Sequence, residues 1–138
     1  MQAYQTILPD LRALDATLVA ISPMLPDGSL SMAEKNALEY EVLSDVGNRA
    51  AGDYGLVWRF PPALQEVYRT TFEILLPQVN GDESWELPLT GTFVVDEDGV
   101  VRYAFVDPDY TRRAEPTEIL AALRSASAAG WPPARADD

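Results

Sequence analysis

The stretch from Thr92 to Val106 reads as a β-hairpin, the clearest local signal in the chain. Thr92-Phe93-Val94-Val95 and Val100 to Val106 are rich in β-branched and aromatic residues, which suit a pleated, half-buried surface. Asp96-Glu97-Asp98-Gly99 joins them, and Gly99 can take the positive φ that a short hairpin loop needs. Asp107-Pro108-Asp109 stops the second strand. A closing helix is predicted from about Pro116, with Ile119, Leu120 and Leu123 on its buried face.

The chain before the hairpin alternates helical and strand-like segments. Tyr4, Ile7, Leu8, Leu11 and Leu14 recur at helical spacing over residues 2–14, and Pro9 must kink that helix or start a new turn. Thr17-Leu18-Val19-Ala20-Ile21 is a short apolar run without alternation, as expected of a strand covered on both faces. Ser22-Pro23 ends it, and Pro26, Asp27 and Gly28 read as a loop. Ser31-Met32-Ala33-Glu34 has capping-box spacing and predicts a helix to about Tyr40. Val42-Leu43-Ser44 is a second short strand. Asp45 to Asn48 can cap a helix over about 48–54, with Gly55 just past its end. Residues 57–90 read as a helical insertion: Pro61-Pro62 suit a helix start, and Leu64, Val67, Tyr68, Phe72 and Leu75 supply an apolar stripe. Asn80-Gly81-Asp82 is a turn, and Trp85 and Pro88 lead to the next strand. This order, αβαβα, an insert, then ββα, predicts an α/β domain with a mixed sheet. The domain is expected over 1–127, with 128–138 as a flexible tail.

Composition narrows the chemistry. The 138 residues fit one domain. Ten basic residues stand against 22 acidic ones, a net charge of −12, which disfavours binding to a phosphate backbone. No apolar run is long enough for a membrane span, and the first residues lack a basic region followed by an apolar stretch, so no membrane role and a cytoplasmic location are expected. Cysteine and histidine are both absent. That excludes a thiolate nucleophile, a disulfide, a Cys/His zinc site and a histidine base within these residues. Carboxylate, tyrosine, hydroxyl, Lys/Arg and backbone chemistry remain, and no paired acids show a convincing cleft pattern for a carboxylate-based hydrolase.

Thr17 to Pro23 (TLVAISP), Val42 to Asn48 (VLSDVGN), Tyr54 to Leu56 (YGL), Thr92 to Gly99 (TFVVDEDG) and Val101 to Val106 (VRYAFV) occur in an order and spacing that resemble one group of redox proteins. Together they resemble the alkyl hydroperoxide reductase and thiol-specific antioxidant family, the peroxiredoxin-like redoxins of the thioredoxin superfamily. The segment Asp107 to Leu123 resembles one peroxiredoxin-like subgroup, and the resemblance extends over about residues 2–127. It implies a thioredoxin-like α/β/α sandwich with a mixed sheet, and a thiol peroxidase or oxidoreductase activity that uses no bound cofactor or metal.

The chain departs from that family pattern at its start. The family places a strand before the first helix and a W-C-P-x-C-like loop at that helix's N-terminus, where the dipole lowers the reactive thiol's pKa. Met1 falls where the family is already inside this helix, so the fold is expected to be N-terminally truncated, as a fragment or through a start assigned too far downstream. Thr90 stands near the place where thioredoxins put a cis-proline. The resemblance puts the missing strand between the one at 17–21 and the one at 92–95. Their unpaired backbone groups then need a partner: each other, or a second copy of the chain that completes the sheet. A homodimer is therefore expected.

Four residues are candidate pocket residues: Trp85, Thr90, Tyr110 and Arg112. Trp85 precedes the hairpin and can line a pocket or pack. Thr90 can donate in a cleft or simply begin a strand. Arg112 with Arg113 can hold a carboxylate or an oxyanion, or make surface ion pairs. Tyr110 can donate to a ligand or pack over the closing helix. Asp96 and Asp98 suit turn capping better than a metal loop. The sequence thus predicts a peroxiredoxin-like domain inactive in thiol chemistry as it stands, with a cysteine-free binding or dimerisation module as the alternative.

Overall fold

In the computed structural model, residues 2–128 are described, so the tail expected at 128–138 lies almost wholly outside them. Two compact units divide the chain. Residues up to Leu18 and from Thr90 onward form one, and Val19–Leu89 form the other.

The first unit is built on the hairpin. β5 (Thr90–Val95) pairs antiparallel with β6 (Val101–Asp107), with a register shift at Val94/Val95. Gly99 adopts φ +79 in the loop. The closing helix α7 (Pro116–Ala128) packs on both strands. Residues 2–14 break into α1 (Gln2–Gln5) and α2 (Leu8–Ala13), and Pro9 sits in the first turn of α2, where its missing N–H costs nothing. Ile7, Leu8, Leu11, Val94, Ala114, Ile119, Leu120 and Leu123 are all buried. The Tyr4 hydroxyl ties α1 to the chain before α7 by donating to the Ala114 carbonyl at 3.0 Å.

The second unit starts with β1 (Val19–Ser22), which pairs in parallel with β2 (Glu41–Ser44). Helix α3 runs from Pro26 to Lys35. It begins five residues before the capping box and ends well before Tyr40. Pro26 pre-sets the φ of the first turn, so the residues that read as a loop open the helix instead. The end is set at Ala37, where φ is +48 and the Leu38 N–H returns to the Ala33 carbonyl at 3.0 Å. Ser29 of α3 is buried, and its hydroxyl is 2.7 Å from that of Ser44 on β2. That contact fixes α3 on the face carrying Ala20, Ser22, Val42 and Ser44.

The opposite face of the ribbon differs from the expectation. Val19, Ile21 and Leu43 are 42%, 56% and 50% exposed. β1 is therefore covered on one face, although its apolar run is that of a doubly covered strand.

Helix α4 (Arg49–Asp53) follows β2. The cap comes from Asp45, whose two carboxylate oxygens accept the Ala50 and Ala51 N–H groups at 3.0 and 2.9 Å. Asn48, at the cap position itself, makes no side-chain cap bond. Gly55, at φ +69, ends the helix as expected. Residues 57–90 hold two helices, α5 (Pro62–Thr70) and α6 (Leu76–Asn80), and also two short strands. β3 (Val57–Arg59) pairs antiparallel with β4 (Glu86–Pro88). The turn at Gly81 is tightly packed: a Cβ there would lie 2.6 Å from a methyl of Leu25. The apolar stripe of α5 is not buried. Val67 and Phe72 are exposed, and no residue of the helix is fully covered.

With parallel and antiparallel pairings and helices interspersed, the chain has the mixed α/β make-up of a thioredoxin-like fold.

Candidate functional site

Trp85 belongs to the unit of residues 19–89, whereas Thr90, Tyr110 and Arg112 belong to the other. Each set is described in its own surroundings.

Trp85 is buried and holds φ at +56, an uncommon conformation for a bulky residue. Three contacts hold it there. Its carbonyl accepts the Phe60 N–H at 3.0 Å, and its ring lies 6.3 Å from that of Phe60. The Arg69 guanidinium sits 5.1 Å from the Trp85 ring centroid. Phe60 also meets Trp58 at 4.6 Å and Tyr68 at 4.9 Å, centroid to centroid. Trp85 thus anchors the β4 end of an aromatic cluster and packs rather than opening to a pocket.

Thr90 begins β5 opposite Asp107 in the register. Asp107 pairs with Arg112, Nη1 to Oδ2 at 3.0 Å, so the hairpin end brings Thr90, Asp107 and Arg112 into one neighbourhood. Asp107 also accepts the Asp109 N–H at 2.9 Å. Asp109 in turn accepts the Thr111 N–H and hydroxyl at 3.0 and 2.6 Å. These bonds hold the Asp109 carboxyl below the usual carboxylate range, the Thr111 hydroxyl contributing most. Arg113 donates to the carbonyls of Tyr110 and Arg112. Tyr110 is 74% exposed and does not pack over α7.

A shallow cavity of about 340 Å³ lies beside this loop, lined by Phe105, Thr111, Arg112, Arg113, Glu115 and Glu118. Two carboxylates balance its two guanidiniums, and Arg112 is already paired with Asp107. The cavity therefore has no net preference for an oxyanion. The nearby Tyr103 hydroxyl donates to Glu118 at 3.2 Å. Desolvation first, and that bond second, raise its pKa, so the phenol stays protonated and is no ready base.

Asp96 is a turn cap. One oxygen accepts the Asp98 and Val100 N–H groups at 3.0 and 2.9 Å, and the other pairs with Arg102 Nε at 2.6 Å. Its carboxyl is held below the ordinary range, chiefly by the Val100 N–H. Among the described residues no cluster of three or more metal-ligating side chains is arranged to hold an ion, and no helix is long and apolar enough to cross a membrane.

Sequence reasoning missed Asn48. It is buried, its amide donates to the Glu86 carbonyl at 3.0 Å, and its Oδ1 has no partner among the described residues. The VLSDVGN segment contains it, but nothing local distinguishes a buried bridging asparagine from an exposed cap.

Among the described residues the candidate positions are tied up in hydrogen bonds, ion pairs and ring contacts or stand exposed. The arrangement consists of a stapled loop, a packed tryptophan and a bare sheet face. Among curated proteins none matches the chain. The family model described as AhpC/TSA family matches residues 1–104 of the 138. On that match, the chain belongs to the AhpC/TSA family of peroxiredoxin-like redoxins.

Proposed function

We propose that this chain does not itself reduce peroxides through a thiol, and that it serves in the cytoplasm as a thioredoxin-like module whose sheet is completed by a second copy. The absence of cysteine from all 138 residues carries the first half, because a thiolate is the nucleophile on which the family's chemistry depends. The bare ribbon supports the second half. Parallel strands are stable when both faces are covered, and the β1–β2 pair has α3 on one face and three exposed aliphatic side chains on the other. Among the described residues β1 has a single bonded neighbour, and the strand itself carries no charged residue to guard its free edge. Residues 57–90 are read as an insertion into the family frame that supplies α5 beside the aromatic cluster.

Sedimentation velocity over a concentration series tests the assembly. The reading expects a species of twice the 15.2 kDa chain mass at micromolar concentration. A single monomeric boundary throughout would refute it.

A further inference from the structure

The chain holds three asparagines, Asn36, Asn48 and Asn80, and their surroundings differ. The Asn36 amide donates to the Met32 carbonyl at 2.8 Å, and the next N–H, that of Ala37, donates to the Glu34 carbonyl at 3.1 Å. The Asn48 amide is held by the Glu86 carbonyl at 3.0 Å, and Arg49 follows it. Asn80 ends α6 and is followed by Gly81 at φ +65. Among the described residues, neither the Asn80 side chain nor the Gly81 N–H has a hydrogen-bond partner.

We infer that the Asn80–Gly81 bond is a site of spontaneous deamidation in the folded chain, and that the product loosens α6 from the start of α3. The Gly81 nitrogen, once it loses its proton to hydroxide, attacks the Asn80 side-chain carbonyl carbon. The new N–C bond closes a succinimide ring, and the side-chain nitrogen takes up a proton from water and leaves as ammonia. Water then opens the ring at one of its two carbonyls. One opening gives aspartate, and the other gives isoaspartate, whose main chain runs through the side-chain carbon. Gly81 favours closure on two counts: it has no Cβ to crowd the ring, and its N–H gives up no bond. Asn80 must leave its helical backbone to react, and α6 has only five residues to hold it. Asn80 is 6% exposed, so closure waits on that local opening.

The product does not fit the native turn. The Leu25 N–H donates to the Val79 carbonyl at 3.1 Å, which docks the end of α6 where α3 begins. Gly81 lies against the same residue, with space for a Cβ closed off by the Leu25 Cδ2. An extra main-chain carbon one residue earlier drives Gly81 against Leu25 or breaks the bond to Val79. Aspartate instead puts a new charge at a buried position, at the C-terminal end of a helix and just ahead of Asp82 and Glu83. Burial, the helix dipole and like charge all oppose it. Every residue involved lies within Val19–Leu89, so the inference stands apart from the assembly reading above.

Peptide mapping by mass spectrometry of the folded 138-residue chain, aged at neutral pH, tests both halves. Asn80 should gain about 1 Da, as an amide becomes a carboxyl, at least roughly tenfold faster than Asn36 or Asn48. Its rate should rise about tenfold per pH unit, because hydroxide supplies the base. Aged chain, separated by anion exchange, should unfold at a lower urea concentration than fresh chain. Asn80→Gln, which would have to close a larger ring, should stay unmodified and keep its own starting midpoint over the same time. Modification of Asn80 no faster than that of Asn36 and Asn48, or only in chain held unfolded in urea, would overturn the site. A modified chain with an unchanged urea midpoint would overturn the loosening of α6.

Discussion

Replacing Leu120 by alanine tests where the stability of this fold resides. Leu120 is 7% exposed and sits with Ile119 and Leu123 on the face of α7 that packs on the hairpin. The substitution removes three carbons. At about 0.8 kcal/mol per buried methylene the transfer loss is about 2.4 kcal/mol. The cavity left behind adds to this, bringing the total to about 3–4 kcal/mol. For a domain of this size that lowers the Tm by roughly 10–15 °C. Ile21→Ala removes aliphatic carbon from a side chain 56% exposed, and should cost the monomer under about 0.5 kcal/mol. Urea titrations followed by far-UV circular dichroism, at concentrations below dimer formation, compare the two directly. A Leu120→Ala loss below about 1 kcal/mol, or an equal loss for Ile21→Ala, would refute the assignment of the core to the hairpin and its helix.

Two further outcomes follow from the backbone and from one carboxylate. Ala37 holds φ at +48, so Ala37→Gly should stabilise the chain by about 1 kcal/mol, measured by the same titration; a loss of stability would show that the end of α3 is misplaced. The Asp96 carboxyl is depressed in the folded state, so its bonds stabilise the hairpin loop at pH above the unfolded carboxylate pKa, and this contribution is lost as pH falls through the lower folded value. The protection factors of the Asp98 and Val100 amides, exchange rates taken relative to the unfolded-chain rate at each pH, should fall only on that acid limb, and Asp96→Asn should remove that fall.

The parts legible from sequence were those whose causes lie within a few residues. The hairpin followed from Gly99 and its flanking β-branched strands, and α7 from Pro116 and the Ile119, Leu120, Leu123 spacing. The Asp96 cap was legible because its bonds close within four residues. Helix α3 was misread because Pro26 can open a helix as well as a loop, and the decision rests with Ser29, which bonds across fifteen positions to Ser44. Pairing of β3 with β4 joins segments about thirty residues apart, and no local pattern announces it. The Arg112–Asp107 pair was hidden for a related reason: the two arginines were visible, but not which acid they would meet. The run at 17–21 carries the demand of a doubly covered strand, and within its own unit α3 covers one face.

The account turns on a family fold without the family's thiol. Peroxide consumption by the purified 138-residue chain, with a dithiol reductant in excess, tests this most directly. The expected rate equals that of the buffer blank with reductant, because no residue in the chain can form a sulfenic acid. Turnover well above that blank, retained after repurification, would contradict it.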